Sequence, residues 1–402
     1  MLPDHNGPRP SILVLTTSYP SHEADPSGVF IAKLLQAIRR RGYELKVLAP
    51  SDGTCHGRGW LGGIETVRFG YFWPRTLQRL TKAGGGIPEN VKESFLAKLQ
   101  LVPMMMVFLL RGLSEVRQSQ IIYANWLGAG IVGAALSRIT GKPLVVSFRG
   151  DDGYLARDRW VWRVPAKWVM RRASMIAPVS RELLDIIRQL GVPETKCHLP
   201  RFGVDLEMFH PPVTEKRPQD RVRLLFVGSL IERKGLHDLI QALSDPRFAD
   251  TELVVVGEGA QHSQLTSLGE QLGLSERIQW LGTRPPAEVA ELMRSVDLLC
   301  LPSYMEGRPN VVNEAMASGL PVVTTRVGGI PDMVREGETA LLFDPGNVVE
   351  LRACLAALVA DDGLRRMMGM AGHAFLVQTG VSWDSTAEEF DGLFRALAVE
   401  KD

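Results

Sequence analysis

The feature that most constrains this chain is an alternation of short apolar runs with helical stretches, completed once and then started again. Residues 12–16 form a β-leaning run, followed by a Gly/Pro/Ser-rich loop at 19–28, an amphipathic helix at 29–41 and a second strand at 45–49. Runs of strand length recur at 121–124, 144–148 and 175–179, with helical stretches between them. The pattern restarts at 224–227 and continues at 253–256, 278–281, 298–301 and 321–325. Strands alternating with helices build parallel sheets covered on both faces. The chain is therefore predicted to be α/β, with two doubly wound, Rossmann-like domains at 1–209 and 221–380. The polar, proline-rich stretch 210–220 (HPPVTEKRPQD) reads as the linker. In open parallel sheets, ligands bind beyond the carboxyl ends of the strands. Two such domains facing across a cleft place their functional residues just after strands.

Composition narrows the classes. With 45% hydrophobic and 23% charged residues among 402, disordered, collagen-like and coiled-coil chains are excluded. The longest unbroken apolar run, 101–110, contains Pro103 and falls short of the roughly 20 residues of a bilayer span. The N-terminus lacks the basic start, apolar core and cleavage site of a secretory signal. Cys55, Cys197, Cys300 and Cys354 are widely spread, which fits a reducing compartment and offers no metal-ligand spacing. The net charge of +1 conceals an asymmetry: residues 1–205 carry +12 and residues 206–402 carry −11. The basic half is expected to face something anionic.

Several motifs stand where ligands should bind. Glu306-Gly-Arg-Pro-Asn-Val-Val-Asn-Glu314 follows the run 298–301 and enters a helix expected at 310–318, with Glu314 expected in its first turn. Gly307 and Pro309 let the backbone turn tightly, leaving amide N–H groups free at the helix start, among Gly307, Arg308, Asn310 and Val311, where they suit a phosphate or a sugar hydroxyl. Glu314 either accepts hydrogen bonds from a ribose or merely offsets the helix dipole. Val227-Gly-Ser-Leu-Ile-Glu-Arg-Lys-Gly235 follows the first strand of its domain, and Arg233 with Lys234 could clamp a diphosphate or form a solvated basic loop. Val256-Gly-Glu-Gly259, with Glu258, and Gly328-Gly-Ile-Pro-Asp332 are glycine-rich loops with one carboxylate each. In the first half, Pro26-Ser-Gly-Val29 puts Gly28 at a helix entrance. Arg149-Gly-Asp-Asp152 follows the run 144–148 and is expected either to project Arg149, Asp151 and Asp152 into the cleft or to make an ordinary turn.

These residues together resemble family 4 of the retaining glycosyltransferases, which have the GT-B fold. Besides those motifs, the resemblance rests on Thr17-Ser-Tyr-Pro20, Leu301-Pro-Ser303 and Val381-Ser-Trp383, and it spans nearly the whole chain. It implies transfer of a sugar from a nucleotide-diphosphate sugar with retained anomeric configuration and without a metal or other cofactor. By matching position, Arg233 and Lys234 would bind the diphosphate, Gly228 would adjoin it, and Gly28 would approach it from the N-terminal domain. Glu314 would hold the ribose, Glu306 the donor sugar, and backbone near Leu281 would meet the base. Glu306, Arg233, Lys234 and Arg149 would carry catalysis. The stretch 381–402 would be a helix returning to the N-terminal domain. Three positions depart from similar proteins, which often carry His at Arg149 and at Asn125, and Asn at Phe202. Arg149 is accordingly expected to supply a permanent cation in place of a titrating imidazole.

The N-terminal domain of this fold usually receives the acceptor, with Asn125, Arg149, Asp151 and Asp152 on that side. Its charge, the Trp- and Arg-rich stretch 157–172 and the amphipathic stretch 91–116 suggest a polyprenyl-diphosphate-linked or glycan acceptor. The expected location is cytoplasmic, peripheral on an anionic inner membrane face. The same features also fit a core helix and solvated charge. Nucleic acid is not expected, because no helix-turn-helix, zinc or aromatic-ladder pattern accompanies the charge. The expected function is a hexosyltransferase of surface polysaccharide or glycolipid assembly, with a UDP-sugar as donor. The alternatives are a nucleotide-sugar epimerase on the same fold and a non-catalytic sugar-nucleotide-binding protein.

Overall fold

A computed structural model describes residues 9–23, 25, 27–53, 55–81, 87, 90, 91, 94–213 and 221–399. Pro26 and residues 214–220 of the expected linker lie outside this set. The chain divides into two compact units. One holds Met1–Val179, Leu183–Arg201 and Trp383–Asp402; the other holds Ser180–Glu182 and Phe202–Ser382. The break in packing thus falls at Arg201–Phe202, ahead of the expected linker, because Val204 and Phe209 are buried in the second unit's core.

The first unit is built on a seven-stranded sheet in the order β3-β4-β2-β1-β5-β6-β7. Its strands are β1 (Ile12–Leu15), β2 (Leu45–Pro50), β3 (Gly57–Leu61), β4 (Ile64–Phe69), β5 (Ile121–Asn125), β6 (Leu144–Phe148) and β7 (Met175–Pro178). The central strands β1, β5 and β6 are buried along their whole length, which is why they read as continuous apolar runs. The alternation did not suggest β3 and β4. They form an antiparallel hairpin on an otherwise parallel sheet, turned by Gly62 and Gly63, both at positive φ. Every residue of β3 is wholly or partly exposed, so it leaves no apolar signature.

The helices of this unit are α1 (Val29–Arg40), α2 (Phe95–Glu115), α3 (Trp126–Thr140), α4 (Asp151–Asp158), α5 (Trp160–Arg172) and α6 (Arg181–Gln189). Pro103 does not break α2: the carbonyl left without a partner belongs to the exposed Leu99, on the outer side. Within Phe95–Gln118 an 18-residue window has a mean hydropathy of 1.5. By length and composition this stretch is the one described helix able to cross a membrane, which the ten-residue run 101–110 understated.

The second unit carries a six-stranded, all-parallel sheet in the order β10-β9-β8-β11-β12-β13. Its strands are β8 (Val222–Val227), β9 (Thr251–Val256), β10 (Ile278–Trp280), β11 (Leu298–Leu301), β12 (Val322–Thr325) and β13 (Ala340–Phe343). Its helices are α7 (Leu236–Leu243), α8 (His262–Gln271), α9 (Pro286–Ser295), α10 (Asn310–Ala317), α11 (Val348–Ala360) and α12 (Asp362–Thr379). The strand order reverses between β8 and β11, the point at which an open α/β sheet opens a crevice for a ligand.

The last helix, α13 (Trp383–Val399), belongs to the first unit and packs along α1. Its Phe390 and Phe394 lie against Tyr123, and Phe394 against Tyr43. Tyr43 Oη donates to Asp391 Oδ1 at 2.7 Å, and Arg395 Nε lies 3.0 Å from Asp391 Oδ2. An apolar seam tied by a buried hydrogen bond at one carboxylate fixes the helix in place.

Candidate active site

The second unit's site begins at the switch point. After β8 the chain passes Gly228, makes a 3-10 turn at Glu232–Lys234 and enters α7 through Gly235, whose φ is 65°. A side chain at Gly235 would drive into the Pro302 carbonyl, so the loops after β8 and β11 lie backbone against backbone. Tyr304 N donates to Arg233 O at 2.8 Å and locks the two together. In that frame Lys234 Nζ donates to Glu306 Oε1 at 2.6 Å, and Ser303 Oγ donates to the same oxygen at 2.6 Å. Glu306 is buried, so a cation and a hydroxyl fix a desolvated carboxylate at the sheet's edge.

The neighbouring loops converge on the same edge. Leu230 N donates to Glu258 O and Gln261 N to Leu230 O, both at 2.9 Å, which knits the loop after β9 to the loop after β8. Gly257, at φ 136°, leaves no room for a side chain against the Gly228 carbonyl. Gly257 N in turn donates to Gly282 O beyond β10, placing Glu258 and Leu281 beside one another's loops. Gly329 N donates to Gly307 O at 2.8 Å, which brings the loop after β12 onto the glutamate loop. Gly228, Arg233, Lys234, Glu258, Leu281, Glu306 and Gly307 are therefore assembled by five loops at one sheet edge.

Arg308, Pro309, Asn310 and Val311 carry the chain into α10, with Pro309 preceding its first residue. The helix starts at Asn310 as expected, but Glu314 is its fifth residue and so lies just beyond the first turn of 3.6 residues in which it was expected. The dipole-offset role expected of a first-turn acid therefore does not apply. Glu314 is half-buried, and desolvation, with Asp205's charge adding to it, pushes its carboxyl up to about 7. Arg308 is also half-buried, and its Nε is buried without a hydrogen-bond partner. Burial pulls its pKa down to about 10 against the opposing charge of Asp332.

In the first unit, Gly28 stands at φ 69° before α1, pressed against the Ser18 carbonyl. Beyond β5 and β6, Arg149 donates to Asn125 Oδ1 from Nη2 at 2.7 Å and from Nε at 3.1 Å. Its guanidinium lies 4.9 Å from the centre of the Phe30 ring, and Phe30 packs edge-on against Trp126. Trp126 is the only non-glycine residue at positive φ among those described, at 68°. Such backbone strain gathers at functional sites. Burial lowers the Arg149 pKa from its ordinary value, yet a guanidinium keeps its proton at neutral pH.

Of the two readings of this motif, Asp152 follows the turn and does not project from its loop. It is buried, and Oδ1 accepts the backbone N–H groups of Arg149, Gly150 and Gly153, each at 3.0 Å. Asp151 sits at the start of α4, more open than Asp152. Sequence reasoning assigned no role to Ser303, Asp205, Phe30 or Trp126. Ser303 was reachable from its place two residues after β11, whereas the others are brought in by packing alone.

Among the described residues no group of three His, Cys, Asp or Glu side chains is placed to hold a metal ion. The model of the glycosyl transferases group 1 family matches residues 212–375, and that of the glycosyl transferase 4-like domain matches residues 27–203. A D-inositol 3-phosphate glycosyltransferase of Corynebacterium urealyticum is 34% identical over 242 residues, covering 56% of this chain and 56% of its own length. The chain thus spans little more than half of that relative. An MMP alpha-(1->4)-mannosyltransferase of Mycolicibacterium hassiacum is 30% identical over 65% of this chain and 67% of its own. Sucrose-phosphate synthase from Thermosynechococcus elongatus superposes with a TM-score of 0.80 at 21% identity, covering 98% of this chain and all of that one. An Anabaena HepE structure in complex with UDP-glucose gives 0.73 at 20% identity, covering 96% of this chain and 100% of its own. Matched along both halves and carrying two Rossmann-like units, the chain belongs to the group 1, GT4-like glycosyltransferases and has the GT-B fold.

Proposed function

We propose that this glycosyltransferase moves a hexose from a nucleotide-diphosphate sugar, a UDP-sugar first, to a glycan or polyprenyl-diphosphate-linked acceptor. Transfer proceeds with retention and without a metal, in cell-surface polysaccharide or glycolipid assembly, by an enzyme held peripherally on the inner face of the cytoplasmic membrane. The observation that carries the reading is the Lys234–Glu306–Ser303 cluster at the switch point, beside Arg233 and with Glu314 one turn into the adjoining helix. Arg233 and Lys234 neutralise the diphosphate, and Lys234 shares its charge between that group and Glu306. Glu306 orients the donor sugar's hydroxyls, and Glu314 accepts from the ribose.

In the transfer step the bond from the anomeric carbon to the diphosphate oxygen breaks. The acceptor oxygen bonds on the same face, and its proton passes to the departing diphosphate. The protein's task is then to stabilise leaving-group charge, which is worth about 100- to 1000-fold per positioned donor in comparable sites. A UDP-glucose complex of one structural neighbour supports the donor class. Names among the relatives favour a second acceptor class, a small phosphorylated polyol.

Calorimetry with UDP, GDP and ADP in the presence of a chelator tests the donor site. One nucleotide is expected to bind wild type and to lose at least roughly tenfold in affinity in Arg233→Ala/Lys234→Ala, since hydrogen bonds to charged groups contribute about 1.5–3 kcal/mol. Binding by none of the three, or binding unchanged in the double variant, overturns the assignment. Product analysis with the bound donor then separates transfer from epimerisation and from mere binding.

A further inference from the structure

Helix α2 is apolar on two opposite faces. At ~100° per residue, Ala97, Met104 and Phe108 fall on the side buried in the first unit's core. Phe95, Leu99, Val102, Met106 and Leu110 form a single stripe on the other side, where Phe95 is 74% exposed, Val102 67% and Leu110 63%. A helix covered by its own domain needs only one such face. Helix α5 repeats the arrangement at shorter length: Trp160 is 76% exposed and Val164 65%, with Trp168 one turn further on. Both helices pack on α3, from either side. Gly112 lets Leu136 of α3 approach α2, and Gly130 admits Val169 of α5, so the three lie close together as one layer on the sheet.

We propose that the outer face of this α2–α3–α5 layer is the surface on which the protein meets an anionic phospholipid bilayer, lying in its interfacial zone. The charge around the stripes selects the partner. Residues 157–172 carry six Arg or Lys and one acid, Asp158, which is ion-paired to Arg157. Lys98, Arg111, Arg138, Arg159, Arg163 and Arg171 are exposed on the same three helices or at their ends. Apolar stripes with tryptophans, rimmed by cations, match the depth profile of an anionic leaflet, with tails below and headgroups above. Spanning is excluded by the inner face of α2. Gln100 Nε2 donates to Leu77 O at 2.7 Å, and Glu115 pairs with Lys46 and Arg58, bonds that would all be forfeited in hydrocarbon.

This inference deepens the peripheral position proposed above and rests on it, and the two fail separately: binding that survives every variant below overturns the assigned face alone, whereas no binding to either vesicle overturns the peripheral position as well. Full-length protein is floated with phosphatidylcholine vesicles, with and without phosphatidylglycerol. Binding is expected to be at least about tenfold stronger to the anionic vesicles, as roughly 1 kcal/mol per basic residue at the surface implies. Met106→Glu/Leu110→Glu and Trp160→Ala/Trp168→Ala should each weaken it about a hundredfold or more, the loss that burial of two such side chains implies. Arg163→Glu/Lys167→Glu should abolish the preference for phosphatidylglycerol. Unchanged circular dichroism shows that each variant folds. Absence of binding to either vesicle, equal binding to both, or light scattering showing that the same variants dissolve a homodimer overturns the proposal.

Discussion

Glu314 and the Arg149–Asn125 pair show how much a residue's meaning depends on its neighbours. Two of the three departures from similar sequences, Asn125 and Arg149, are bonded to each other, so a pair of changes at distant positions is one local substitution. The third, Phe202, is buried, and its carbonyl accepts from Asn313 Nδ2 at 3.3 Å. Glu314, with its carboxyl pushed up to about 7, changes charge near neutrality. Only the carboxylate accepts two ribose hydrogen bonds well, so nucleotide affinity is expected to rise as pH increases through about 7, with Asp205 the neighbouring charge that opposes ionisation. Glu314→Gln should bind UDP roughly tenfold more weakly at high pH, the loss of a charged hydrogen bond. It should also show a flat profile when calorimetry is repeated across pH. A wild-type profile that is already flat removes the carboxylate from ribose binding.

At the scale of elements, close approach is set by where glycine stands. A Cβ at Gly130 would lie 3.1 Å from Val169 Cγ1 and 3.3 Å from Val146 Cγ1, two stiff β-branched side chains, one on α5 and one on the sheet. A Cβ at Gly112 would lie 2.7 Å from Leu136 Cδ1, the far end of a side chain that can turn away. Gly130→Ala is therefore expected to cost about 1–3 kcal/mol in urea unfolding, as overpacking does, and Gly112→Ala distinctly less. Equal costs would mean that α5 moves off α3 as easily as Leu136 rotates. These elements were largely legible beforehand. The strands β6 and β11 stand at the predicted residues, and α1 ends one residue earlier than predicted. The hairpin β3–β4 was not, because the exposed edge strand β3 and the mixed strand β4 carry no unbroken apolar run, and β13 was passed over although its four residues are all apolar.

For the whole molecule, buried carboxyls, one in each unit, shape how stability responds to pH. Burial raises Asp152 from its usual 3.8 to about 6 and Glu314 from 4.5 to about 7. The unfolded chain releases these protons first on raising pH. The folded state therefore binds more protons in between, and both groups lower stability as pH rises from about 4 to about 7. Asp152→Asn keeps an oxygen to accept the three backbone N–H groups and removes the charge. It is expected to be more stable relative to wild type at pH 7.5 than at pH 4, about neutral or destabilised at the lower value, as read from urea unfolding at both pH values. An identical pH slope in the variant would show that Asp152 ionises freely in the folded chain.

The sequence by itself determined the two Rossmann-like units, because a parallel strand buried on both faces must be written as an apolar run and its crossover as an amphipathic helix. It also determined that Arg233, Lys234, Glu306 and Gly307 follow strands, since strand ends are local features. Tertiary structure alone decided that Lys234 and Ser303 share one oxygen of Glu306, and that Asp205 sets its charge against a desolvated Glu314. It alone decided that α2 turns a second apolar face outward. Each of these depends on which loops and helices meet across a sheet edge or a layer. Such meetings join residues far apart in the chain, and no local pattern encodes them.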